Sequence, residues 1–99
     1  MELQSANVLG DLSDAIQLNS QNAYLYYDRG NLYVQRNDYQ HAIDDYSRAI
    51  ELEPNLAEAY FNRGLARLQA KKTAEGIADL SKAGELGLYQ AYSVIKKYQ

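Results

Sequence analysis

The stretch YYDRGNLY, residues 26–33, has a near copy at residues 60–67, YFNRGLAR. Each carries an aromatic pair, one intervening residue, and then Arg-Gly. Laying residues 23–56 on 57–90 without gaps puts Ala23 on Ala57, Tyr26 on Tyr60, Arg29 on Arg63 and Gly30 on Gly64. Further along, Ile43 falls on Ile77, Asp45 on Asp79, Ala49 on Ala83 and Leu52 on Leu86, with Tyr27/Phe61 and Arg48/Lys82 as conservative matches. A fixed period of this size is the mark of stacked, similar units, and it takes precedence over any local reading.

Within each unit two amphipathic segments alternate with short breaks. Tyr26, Gly30, Tyr33 and Val34 recur at helical spacing, as do Tyr60, Gly64 and Leu68. Asn37-Asp38 and Lys71-Lys72-Thr73 form the turns. A second helical pattern follows through Ala42, Ile43, Tyr46, Ala49 and Ile50. Glu53-Pro54-Asn55 ends it, because Pro54 disfavours a helical conformation at the residue before it. One proline in 99 residues predicts helices throughout.

The pattern resembles the tetratricopeptide repeat, a 34-residue helix-turn-helix. Its signature places hold Tyr26, Gly30, Tyr33, Ala42, Tyr46, Ala49 and Pro54 in the first unit. In the second they hold Tyr60, Gly64, Arg67, Gly76, Leu80, Ala83 and Leu88, departing at Arg67 and Leu88. The resemblance runs outward at both ends. LSDAIQLNSQN (12–22) echoes YSRAIELEPNL (46–56), so residues 5–18 read as the second helix of a repeat whose first helix is missing. YQAYSVIKKYQ (89–99) reads as a closing helix over 89–98, with Tyr89, Tyr92 and Val94 or Ile95 covering the last repeat. The expected architecture is an all-α solenoid of antiparallel helix pairs in a single domain over 1–99: a half repeat, repeats at 23–56 and 57–90, and a cap. The half repeat also suggests the C-terminal part of a longer bacterial-type repeat protein.

Composition narrows the function. Net charge is −3, and the paired lysines Lys71-Lys72 and Lys96-Lys97 do not make a basic face, so nucleic acid is not an expected partner. No cysteine is present, which excludes disulfides and thiol chemistry. The N-terminus lacks a basic region followed by a long apolar core, so no signal peptide is read there. No apolar run approaches the ~18 residues of a membrane span. A cytoplasmic location is weakly favoured. Catalysis finds no foothold either. His41 is the one histidine and reads as solvated, Asp44 and Asp45 are adjacent and point to different helix faces, and no metal-ligand spacing or cofactor motif appears.

The resemblance implies roles for particular residues. Gly30 and Gly64 would face Ala42 and Gly76 in the companion helix, where small side chains let backbones approach, and Gly30→Leu should be among the worst single changes. Where the family usually has Leu, this protein has Arg29 and Arg63, each followed sixteen residues later by Asp45 and Asp79. The fold sets these positions across one helix pair, implying the ion pairs Arg29–Asp45 and Arg63–Asp79. Tyr26, Tyr33, Tyr46 and Tyr60 take core positions, with hydroxyls at the rim.

In such folds the first helices line a concave groove for a partner peptide or helix. The residues mapping there are Tyr24, Tyr27, Asn31, Val34 and Gln35, then Glu58, Phe61, Asn62, Leu65, Leu68 and Gln69, with Lys96 from the cap. Some members grip a C-terminal carboxylate through a Lys-Asn-Asn-Lys-Arg clamp. Asn31 and Asn62 match its asparagines and Lys96 its arginine, but Tyr27 and Tyr92 replace the lysines and Asp28 and Glu58 add negative charge. The leading expectation is therefore a non-catalytic module that binds a protein or peptide partner. The alternative is self-assembly as a homo-oligomer, through an apolar stripe of Leu3, Val8, Leu9, Leu12 and Ile16 on the half repeat.

Overall fold

The computed structural model describes the backbone of residues 2–99 and the side chains of residues 8–99. The described residues form six helices: α1 (Glu2–Leu18), α2 (Ala23–Gln35), α3 (Tyr39–Leu52), α4 (Ala57–Gln69), α5 (Thr73–Glu85) and α6 (Gln90–Lys96). The tightest packing joins α2 to α3 and α4 to α5, with α3 against α4 linking the two pairs. The result is an all-α solenoid measuring 42 × 26 × 21 Å. Among the described residues, no helix is long and apolar enough to cross a membrane.

Three of the helices stop in the same way. After α2, the Asn37 N–H bonds to the Val34 carbonyl at 2.9 Å and the Asp38 N–H to the Tyr33 carbonyl at 2.9 Å. After α4, Lys71 bonds to Leu68 at 3.1 Å and Lys72 to Arg67 at 2.8 Å, and after α5 Gly87 bonds to Gly84 and Leu88 to Ala83, both at 3.0 Å. This double bond pattern is a Schellman motif, which requires one residue in the left-handed conformation. Asn37 (φ 60°), Lys71 (φ 66°) and Gly87 (φ 107°) occupy it. Glycine and asparagine tolerate that region, whereas a lysine there carries a steric penalty of roughly 1–2 kcal/mol. Lys71→Asn should therefore raise unfolding stability by about 0.5–1 kcal/mol, seen as a thermal midpoint a few degrees higher. No gain in the melt would mean that Lys71 carries no strain. Helix α3 ends differently: Glu53 is extended (φ −134°, ψ 85°) before Pro54.

The core forms three clusters along the solenoid. Ile16, Ala23, Tyr26, Ala49 and Ala59 make the first. Ala42, Ile43, Tyr46 and Ala66 make the second, and Leu68, Leu80, Ala83 and Ala91 the third. Seven of these thirteen residues are alanine, whose small side chains let helix axes approach around large buried ones such as Tyr46 and Leu80.

Several expectations need correction. Ile16 is not part of an exposed stripe but is buried against α2, and Leu9 and Leu12 are half-buried; Val8 is exposed, and Leu3 lies outside the described side chains. Tyr89 does not cover the last repeat. It is 72% exposed, and Ala91, fully buried, seals the third cluster with Leu88, Val94 and Ile95. Gly30 faces the ring of Tyr46 rather than Ala42, while Gly64 does lie against Gly76.

Candidate functional site

Two arginine networks set the spacing of the helices that carry the site. The Arg29 guanidinium donates from Nε to Asp45 Oδ2 at 2.7 Å and from Nη2 to Oδ1 at 2.8 Å. Its third nitrogen, Nη1, donates to Ser13 Oγ on α1 at 3.2 Å. One period later, Arg63 donates to Asp79 at 2.8 and 2.7 Å and to Ser47 Oγ at 3.0 Å. Each arginine thus bridges its own helix pair and the helix that precedes it. Arg48 adds a contact to Asp45 at 3.3 Å, and Arg67 a contact to Asp79 at 2.8 Å. Arg29 and Arg63 each lie over a tyrosine ring as well, Arg29 at 5.9 Å from the centre of Tyr26 and Arg63 at 5.7 Å from Tyr60. The hydrogen bond to Asp45 holds the Arg29 pKa above its usual value, against the opposing effect of burial. With all three nitrogens of Arg29 and of Arg63 engaged, neither is poised to seize a ligand anion.

Beside this scaffold lies a groove of about 520 Å³. Helix α2 supplies Asn31, Val34 and Gln35, α3 supplies Tyr39 and Tyr46, and α4 supplies Asn62, Leu65, Ala66, Leu68 and Gln69. Tyr98, just past α6, forms a further wall. Among the described residues, none that lines the groove is charged at neutral pH. Val34, Leu65 and Leu68 give apolar area, and the amides and hydroxyls give orientation, the usual division of labour in a binding site.

A string of polar contacts fixes the floor. The Tyr46 hydroxyl donates to Asn31 Oδ1. Asn62 Nδ2 donates to the Tyr27 hydroxyl at 3.0 Å and to Asn31 Oδ1 at 3.1 Å. The rings of Tyr27 and Tyr46 are tilted against each other with centres 5.8 Å apart. Burial, and secondarily the neighbouring Tyr27, push the Tyr46 phenol well above the usual tyrosine pKa, so it stays a donor throughout the physiological range.

The structure brings together seven of the residues mapped to the concave face: Asn31, Val34, Gln35, Asn62, Leu65, Leu68 and Gln69. Leu68 is also buried in the third core cluster, so it serves both packing and lining. The other five are not on the groove lining. Tyr24 and Glu58 are exposed elsewhere. Tyr27 and Phe61 are half-buried and packed on core clusters. Lys96 faces a second hollow, with Ser81, Tyr92 and Gln99, at the C-terminal end. Four groove residues escape the sequence reading: Tyr39, Tyr46, Ala66 and Tyr98. Tyr46 reads from sequence as a core residue; its ring does sit in the core, and it also lines the groove. His41 is exposed, as the sequence reading expects, and it also has local partners. Its Nδ1 lies 2.7 Å from Asp38 Oδ2, and its ring stacks on Tyr33 at 5.0 Å. Among the described residues, no three acidic or histidine groups come together as a metal site would need.

Comparison with known proteins places this geometry. A family model described as a TPR repeat matches residues 30–70. No curated protein matches this sequence. Among solved structures, the Arabidopsis OM64 TPR domain is similar at 26% identity and a TM-score of 0.89, with 97% of this protein and 81% of that one covered. The second TPR domain of human RPAP3, in complex with the HSP70 peptide SGPTIEEVD, is 26% identical, with 90% and 76% covered and a TM-score of 0.85. The first TPR of Spaghetti (RPAP3), bound to the HSP90 peptide SRMEEVD, shares the fold at 21% identity and a TM-score of 0.90, with 97% and 78% covered.

Proposed function

From the premise that this protein is built of tetratricopeptide repeats, we infer that it is a non-catalytic interaction module whose groove holds a peptide segment of a partner protein. The observation that carries this reading is the groove itself. It is a concavity of about 520 Å³ lined by amides and hydroxyls together with Val34, Leu65 and Leu68, beside an arginine scaffold paired with its own aspartates. Peptide-bound TPR structures, such as that of the second TPR domain of human RPAP3, add weight to it.

Tyr27→Ala and Phe61→Ala do not test the groove cleanly, because both rings support the core. Gln35 and Gln69 are exposed lining residues whose replacement leaves packing intact. A display library of random nine-residue segments, sorted on the immobilised protein, should enrich defined binders. The double change Gln35→Arg/Gln69→Arg should weaken those binders at least tenfold, with the helical circular dichroism spectrum unchanged. Failure of any segment to enrich, or binders indifferent to both changes, would overturn the groove as the functional site.

A further inference from the structure

Among the described residues, Tyr98 is the wall of the groove that neither full repeat supplies. The other lining residues belong to α2, α3 and α4. In the repeat register, residue 98 takes the place that Gly30 and Gly64 hold in the full units. A Cβ at Gly30 would strike the Tyr46 ring, and one at Gly64 the Gly76 carbonyl oxygen, so those positions point into the companion helix. Tyr98 does not follow them, because α6 has already tightened. The Lys97 N–H bonds to the Val94 carbonyl at 3.0 Å, Tyr98 to Ile95 at 2.9 Å and Gln99 to Lys96 at 3.4 Å. Bonds that reach back three residues instead of four wind the chain into a 3₁₀ turn. This takes residue 98 out of the inward direction, and its side chain lines the groove instead.

The three tyrosines of the groove are not equivalent. Tyr46 is buried, with its hydroxyl donating to Asn31 Oδ1. Tyr39 packs on the second core cluster, with its hydroxyl donating to Asn37 Oδ1 at 3.1 Å. Tyr98 is half exposed and belongs to none of the three clusters. Its open ring area, on the order of 100 Å², is apolar surface that the fold does not use. Covering that area with an apolar group raises affinity by roughly tenfold or more. A charged side chain placed there would lose water without gaining an ion pair, since none of the described lining residues is charged.

Resting on the peptide-groove reading, we propose that Tyr98 is the specificity-determining residue of this groove, its ring packing on one apolar side chain of the bound segment. The helices of the two repeats supply the channel, and Tyr98 selects what lies in it.

The test sorts the nine-residue display library in parallel on the unaltered protein and on its Tyr98→Ala and Tyr98→Phe variants. Binders of the unaltered protein should share one position at which Val, Leu, Ile, Met, Phe or Pro is enriched at least tenfold over the unsorted library. Those binders should weaken at least tenfold on Tyr98→Ala and less than threefold on Tyr98→Phe, which keeps the ring. Segments selected on Tyr98→Ala should lose that preference while still responding to Gln35→Arg/Gln69→Arg, at unchanged helicity. A merely structural role for Tyr98 would lower affinity without changing the preference, and that result would overturn Tyr98 as the selector. Binders indifferent to Tyr98→Ala, equal losses on the two variants, or enrichment of Lys or Arg at the shared position would overturn it too, each leaving a peptide-binding groove in place. If no segment enriches on any of the three proteins, the groove reading falls and the role of Tyr98 with it.

Discussion

Replacing Asp79 by alanine should cost about 3–5 kcal/mol of stability, enough to leave a domain of this size barely folded at room temperature. Asp79 is 5% exposed and receives hydrogen bonds from two arginines, Arg63 and Arg67, whose side chains are themselves only 15% and 20% exposed. Removing the carboxylate strands two cations in a region that water reaches poorly, which costs more than the ion pairs contributed when intact. The corresponding change at Asp45 should be milder. Its partners are Arg29, 16% exposed, and Arg48, 55% exposed, and the latter can turn to solvent. Urea denaturation of Asp45→Ala and Asp79→Ala would order the two. Equal losses would mean that the second arginine at Asp79 is inert. A combined Arg63→Met/Arg67→Met/Asp79→Leu variant, which removes the charges together, should recover most of the loss, as buried ionic clusters replaced by apolar groups commonly do.

The same network shows what a repeated sequence can and cannot convey. The Arg-to-Asp interval is identical in both units, and the tetratricopeptide pattern sets those residues across a helix pair, so the pairing is legible once the repeat is recognised. The serine contacts are periodic too, since Ser13 and Ser47 stand one period apart, but a serine at a helix surface carries no signal of its own. The groove is legible where it is built from helix faces with regular spacing, as with Asn31, Val34, Gln35, Leu65 and Gln69. It is illegible where the pattern has no side chain to project. Tyr98 stands where the two full units have Gly30 and Gly64, so the alignment offers no guide to an aromatic ring there. Lys96 misleads for a related reason. Helix α6 is only seven residues long, and the repeat register, extended into that short element, puts the lysine on the wrong side. Tyr27 and Phe61 illustrate a third limit. Their helix face is right, but in a stack of small alanines the nearest aromatic rings are drawn into the core.

Alanine at Gly64 should destabilise the fold by about 1–2 kcal/mol, although alanine is the better helix former by about 1 kcal/mol. A Cβ on Gly64 would sit 2.9 Å from the Gly76 carbonyl oxygen, 3.0 Å from Leu80 Cγ and 3.2 Å from Asp79 Cβ. The carbonyl belongs to a helix backbone and cannot rotate aside, so α4 and α5 must separate and the third core cluster loses contact. The reciprocal change at Gly76 meets the Gly64 carbonyl at 2.8 Å and should cost a similar amount. Because both changes open one gap, the double variant should cost less than the sum of the singles, a coupling that a double-mutant cycle reads directly. Gly30→Ala differs in kind. Its Cβ would lie 2.7 Å from the Tyr46 ring, a group that can shift, but Tyr46 is 1% exposed and bonded to Asn31. The displacement should therefore reach the groove floor, and peptide affinity should suffer beyond what the stability loss explains. Gly10, where an added Cβ would meet nothing within 4 Å, supplies the opposite sign: there alanine should stabilise α1 by up to about 1 kcal/mol. Thermal melts of the four alanine variants separate close helix approach from helix propensity, and a stabilised Gly64→Ala would show that α4 and α5 do not meet backbone to backbone.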